Sequence, residues 1–445
     1  MPPPVEVPMG NVAVDTVWVI VAACLVLLMQ AGFASLEMGL SRMKNAGAVA
    51  VKILVNLALA VVVFWAVGYA IAFGDGNDVI GATGWFVGFD GQGVASLAYS
   101  GVDEPTKFFF EAMFAAVALA IVWGTMLDRA RFVTYAPFAV LFVGLIYPIV
   151  THWTWGGGWL SANGFQDFAG SGVVHVTGAF AAIAGAIVVG PRIGKFRDGR
   201  AQPIPGHSMP LAILGVLILW VGWMGFNGGS FLGAVGKPIG EVLVVTTLAG
   251  AFGVLGATVM SRIMLGTFDM GMLGNGAIAS LGAIAGPCAF VEPWAGALIG
   301  LLAGCVMVPM VLVIDRLRVD DPIGVFASHG MGGVIGVLAV GFLTTTDAAE
   351  RLGGRPGLLY GGGAAQLGWQ VVGLVAIGTF AFVAGWLAFM LIKVTMGLRA
   401  PVGDEMAGLD ISEHGMFGYP ERFIEVTGAE PEEPVSHAAA PAVAP

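Results

Sequence analysis

Residues 167–178 read DFAGSGVVHVTG, and the pattern returns at 321–332 as DPIGVFASHGMG. Both follow D-x-x-G-x-x-x-x-H-x-x-G, which pairs Asp167 with Asp321, Gly170 with Gly324, His175 with His329 and Gly178 with Gly332. An aspartate at the start of a helix meets free N–H groups and the positive end of the helix dipole. A histidine eight residues later lies about 12 Å further along the axis. The chain has six histidines in all, so a repeated Asp-to-His interval is hard to reach by chance. Residues 171–190 carry no charged side chain. They are long enough to cross a bilayer with His175 near the middle.

The composition surrounding the repeat is that of a chain in lipid. Of 445 residues, 57% are hydrophobic and 11% charged, whereas a soluble chain carries about 25% charged residues. Apolar runs of spanning length fall near 12–36, 48–73, 107–127, 132–154, 170–190, 209–232, 240–262, 272–290, 294–314, 323–345 and 367–393. The expected fold is an all-α integral membrane protein with eleven transmembrane helices, because in hydrocarbon each segment must satisfy its own backbone hydrogen bonds. Cys24, Cys288 and Cys305 lie in apolar runs and read as small core residues, with neither metal-ligand nor disulfide spacing. The opening MPPPVEVPMGNVAVD lacks a basic n-region. The net charge of −10 offers nothing to nucleic acid.

Basic residues sort by side. Arg42 and Lys44, Arg129 and Arg131, Arg192 to Arg200, Arg262, Arg316 and Arg318, and Lys393 and Arg399 follow the odd-numbered runs. The rule that cytoplasmic loops are positive then places the N-terminus outside and the C-terminus inside. Five crossings separate the two Asp/His motifs, and an odd number reverses direction. The expected architecture is an inverted repeat of five plus five spans, about 12–200 and 209–345, with a substrate path at their interface. An extra helix near 367–393 and a tail motif at 394–420 complete a membrane domain over 1–420. Residues 421–445, rich in Pro, Ala and Glu, read as disordered.

Three readings meet at the histidines: core imidazoles bonded to carbonyls, a metal site, or a paired site on a transport path. Zinc takes three or four ligands, and no other His, Cys or Glu in the spans is evidently placed to complete a set. Polar groups inside spans are commonly functional, and a symmetric pair at equal depth favours the path. Trp153 and Trp159 read as membrane-interface anchors. Trp155 differs, because three glycines follow it and leave an indole face open to a cation. Phe226 and Ser230 share a helical face and set a hydroxyl beside an aromatic ring.

These stretches resemble the ammonium transporter family, the Amt/Mep/Rh proteins, from about residue 16 to about 420. The resemblance is carried by WGGGWL (155–160), DFAGSGVVH (167–175), GWMGFNGGS (222–230), VDDPIGVFASHG (319–330) and GLDISEHG (408–415) after GLR (397–399). MQAGFASLEMGLSRMKN (29–45) looks like the plant-type form of the first span. The resemblance implies eleven spans, a homotrimer with a pore in each subunit, and transport of ammonium, with methylammonium as an analogue. It implies cation recruitment by Trp155, Phe114 and Ser230, with Asp167 structural beside them. It further implies a gate of Phe114 and Phe226, and a pore lined by His175 and His329. It implies neither an enzyme nor a cofactor or metal. It implies residence in the plasma (cytoplasmic) membrane and a cytoplasmic face, at 192–200 and 397–419, that meets PII-type signal proteins.

The departures are equally specific. Glu111 stands where many members carry glutamine, and Glu37 replaces a tyrosine of the bacterial form; both read as modulating positions. Gly286 has replaced a threonine before Pro287, and Met416 a glutamate of the tail motif, which weakens the case for tail coupling. Alternatives of other classes are an ammonium sensor acting through a partner, an Rh-like conduit for neutral ammonia, and a membrane enzyme using the histidine pair. The last lacks an evident nucleophile or cofactor motif.

Overall fold

The computed structural model describes residues 9–88 and 93–423. Ten helices among these residues are long and apolar enough to cross a membrane, from Asn11–Leu40 to Ala365–Thr395, and an eleventh apolar helix, Met270–Ala285, is shorter. That helix occupies the expected span at 272–290. Its 16 residues reach about 24 Å, less than the bilayer core of about 30 Å. Pro287 has no N–H to continue the ladder, and residues 286–290 leave the helix. The freed carbonyls are used, because Ala169 N donates to Ala285 O, Phe168 N to Gly286 O and Thr345 N to Phe290 O.

Helix starts follow local chemistry. Asp103, Ser208, Asp269 and Thr345 each accept a bond from a first-turn backbone N–H, to Thr106, Leu211, Met272 and Ala348 respectively. Glycine sets the spacing between helices. Met9–Leu40 packs along Met209–Gly229, where a Cβ on Gly215 would lie 2.6 Å from Gly32 O and one on Gly39 would lie 2.6 Å from Ser208 O. Larger residues there would part the two helices.

The one hairpin among the described residues joins Phe196–Arg197 to Arg200–Ala201. Asp198 (φ 50°) and Gly199 (φ 76°) both turn left-handed, as a tight two-residue hairpin loop requires. Beside it the basic loops interlock. Asp128 pairs with Arg42 (3.2 Å) and Arg192 (3.1 Å), Arg192 with Asp320 (2.9 Å), and Arg399 with Glu405 (2.8 Å). Burial pushes the Asp320 carboxyl up, but Arg129 and Arg192 outweigh it and hold it at about 2. Asp410 ties the tail down by accepting from the backbone N–H groups of Gly47, Ala48 and Gly418. Residues 421–423 end a helical turn, Pro420–Phe423, and the rest of the acidic tail lies outside the described residues.

Candidate functional site

The two Asp/His motifs build matching corners. Gly170 (φ 111°) and Gly324 (φ 73°) take the left-handed conformation that other residues enter only with strain. Asp167 accepts from the backbone N–H groups of Gly170 (3.0 Å), Gly172 (2.8 Å) and Val173 (2.8 Å). Asp321 accepts from Val325 (2.9 Å) and Phe326 (2.8 Å). A π-helical turn follows each, Ser171–Val176 and Phe326–Gly330, and each contains the histidine. Such widened turns recur at functional sites.

The corners bring the histidines together. His175 Nδ1 lies 3.1 Å from His329 Nδ1, with the rings stacked at 16°, and both side chains are buried. One proton serves that bond. The ring that donates it carries its lone pair at Nε2, and the ring that accepts carries N–H at Nε2. The pair therefore offers one acceptor and one donor, and His175 Nε2 has no protein partner.

A column of rings extends the pair. Phe226 lies 5.7 Å from His175 at 28°. Phe114 stacks on Phe226 at 4.0 Å and 20°, and Trp155 meets the edge of Phe114 at 6.0 Å. Phe33 lies 6.1 Å from His329 at the other end. The Trp155 end opens into a cavity of about 400 Å³ lined by Trp155, Phe114, Ser230, Glu111 and Phe168 among others. At the His329 end lies a cavity of about 10 Å³ beside Phe33, Glu37 and Asn275, the smallest space that holds one water. Two cavities thus face each other across stacked phenyl rings and paired imidazoles.

The polar groups of the large cavity are oriented from behind. Trp155 Nε1 donates to Asp167 O at 2.7 Å, which leaves the indole face free. Ser230 Oγ donates to Phe226 O at 2.7 Å, which leaves its lone pairs for a donor. The Asp167 carboxylate is absorbed by backbone N–H groups. The residue's backbone carbonyl takes the Trp155 Nε1 bond, and its side chain does not line the cavity.

Some expectations need correction or addition. Trp153 is not a membrane-interface anchor. It is buried 5.0 Å from Phe380 and 5.8 Å from Trp159, and its Nε1 donates to Val79 O. The loss of a side chain at Gly286 has a local cause, because a Cβ there would sit 3.0 Å from Ser171 Oγ and 3.1 Å from Asp167 Oδ1. Ser171 occupies that space, donating to Gly282 O and accepting from Gly286 N. Two contributors had no signal in the sequence. Trp223 stacks on His175 at 5.7 Å. Lys52 makes a buried ion pair with Glu37 at 2.8 Å.

Known proteins resemble this chain over most of its length. The family model described as Ammonium Transporter Family matches residues 17–419. Ammonium transporter Amt2 of Archaeoglobus fulgidus is 39% identical over 425 residues, which cover 92% of this chain and 88% of that protein. Ammonium transporter 1 member 3 of Solanum lycopersicum is 34% identical, covering 92% of this chain and 93% of that protein. Among solved structures, one described as a sensor Amt protein superposes with a TM-score of 0.83 at 35% identity, covering 91% of this chain and 99% of that one. Mep2 of Candida albicans superposes with a TM-score of 0.82 at 27% identity, covering 89% of each chain. The chain belongs to the ammonium transporter family.

Proposed function

We propose that the chain moves ammonium nitrogen across the cytoplasmic membrane, taking up NH4+ at the Trp155 cavity and releasing ammonia past the histidine pair. The observation that carries this reading is the pairing of His175 with His329 at 3.1 Å beneath a closed phenyl stack. A bare cation entering hydrocarbon costs far more than any local contact returns. A cation must therefore be held at the mouth and pass on as a neutral molecule. The Trp155 face attracts the charge, and the Ser230 lone pairs accept an N–H. Phe114 and Phe226 must swing aside for the solute. Neutral imidazoles then offer one donor and one acceptor to ammonia or water, and they serve as a relay for the proton left behind. Transport with a separate proton relay carries net charge.

Orientation follows the positive loops, with the N-terminus outside and the C-terminus inside. The two halves act as an inverted repeat around the histidines, and a homotrimer buries outward-facing apolar helix surfaces. The Asp198–Gly199 hairpin and the tail form a cytoplasmic surface for a PII-type signal protein. Pull-down by such a protein should be lost on removing Arg197 and the tail, and an undiminished pull-down would count against it.

The likeness to a chain described as a sensor Amt protein favours a second reading, in which ammonium binding is reported to a partner. Purified protein in liposomes separates the two. Ammonium entry faster than in protein-free vesicles supports transport; binding without accelerated entry supports the sensor.

A further inference from the structure

Glu111 lies one helical turn before Phe114 on the helix Glu104–Trp123 and lines the same cavity as Trp155, Phe114 and Ser230. The residue is 6% exposed, and its Oε2 has no hydrogen-bond partner. No lysine or arginine is among the described residues that line this cavity. The cation one turn back, Lys107, pairs instead with Glu104 at 3.8 Å. A carboxylate withdrawn from water and left without a cation is costly, so stability gives no reason to keep it.

We propose that Glu111 is the counter-ion of the cation captured in this cavity. The proposal rests on the capture reading given above and adds to it a carboxyl group that carries its charge when the cation is beside it. The cavity then presents three different acceptors: an indole face, a hydroxyl whose own proton is committed to Phe226 O, and a carboxylate. Ammonium and small primary alkylammonium ions donate in several directions at once and can address all three. A quaternary ammonium ion has the charge but no N–H, and engages only the ring and the field. Binding the cation also settles the carboxylate, so each group relieves the other's desolvation.

The test uses the full-length protein in liposomes and reads the external ammonium concentration that gives half-maximal transport. The comparison is wild type with Glu111→Gln, Glu111→Met and Glu111→Asp, each admitted if it elutes at the wild-type position. The neutral variants are expected to raise half-saturation about tenfold or more, equivalent to about 1.4 kcal/mol. Their rate at saturating ammonium should stay within about twofold of wild type, since the charge acts on capture. Glu111→Asp keeps the charge and should shift half-saturation by less than about threefold. Half-saturation within about twofold of wild type in either folded neutral variant overturns the proposal. So does failure of both neutral variants to fold when Glu111→Asp folds normally, because the charge would then be structural. A wild-type protein that moves no ammonium defeats the capture reading itself, an outcome distinct from a transporting wild type with an indifferent Glu111→Gln.

Discussion

Removing Glu37 alone, Lys52 alone and both together should give sharply non-additive losses of stability. Both side chains are almost wholly buried, at 0% and 2% exposure, and Lys52 Nζ lies 2.8 Å from Glu37 Oε2. Little else answers either charge. Glu37 Oε1 has no partner, and Lys52 Nζ has Trp123 O at 3.5 Å and the Tyr135 ring at 5.6 Å. With an effective dielectric of about 20, two unit charges at this separation attract by about 6 kcal/mol. Withdrawing each ion from water costs several kcal/mol, so the intact pair comes out near zero. Removing one partner strands the other, at about 3–5 kcal/mol. Glu37→Leu and Lys52→Met should each cost that much, while the double variant should lie within about 2 kcal/mol of wild type. Unfolding by graded SDS in mixed micelles measures the three differences. A double variant that loses the sum of the two single losses would refute the reasoning, since the residues would then act independently.

Other consequences are as direct. Trp155→Leu removes a cation–π contact of about 0.5–2 kcal/mol and should raise half-saturation for ammonium about 2- to 30-fold in the reconstituted protein. Asp167→Asn weakens three bonds to backbone N–H groups and should cost about 2–3 kcal/mol, read as a lower melting temperature together with weaker capture, because Trp155 hangs on the same segment. At Asp320 the carboxyl is held at about 2 in the fold, against about 4 unfolded, so its stabilisation is complete above the unfolded value and is lost as pH falls through the folded one. The gap in melting temperature between wild type and Asp320→Asn should therefore be constant from about pH 8 to about pH 5 and close towards pH 2; a gap that instead closes near neutrality would show that the pairing with Arg192 is not its source.

The spans were legible because lipid leaves one solution for a backbone, and apolar length announces it. The twin corners were legible because Asp, Gly and His each answer a separate local demand at a fixed interval: an acceptor for free N–H groups, a left-handed turn and a ring at depth. Contacts that depend on the rotation of one helix against another were not legible. Lys52 stands fifteen residues from Glu37 on the following helix, and nothing in either run points to the other. Trp223 is spaced like any packing residue of its helix, yet its ring lies against His175. The basic residues that sort by side are also consumed in place, since Arg42, Arg192 and Arg399 fix loops and tail through ion pairs. Trp153 misled because a tryptophan near a helix end anchors at an interface only when no neighbouring helix covers it, and Phe380 comes from the far end of the chain.

The most direct measurement is the charge displaced when ammonium is stepped onto the reconstituted protein on a solid-supported membrane, with potassium as the control and His175→Ala beside wild type. The account predicts a sustained displacement with ammonium, none with potassium, and a loss of the ammonium signal in His175→Ala. An undiminished ammonium signal in His175→Ala, with potassium still excluded, would contradict the relay; no ammonium signal in the wild type would contradict electrogenic transport.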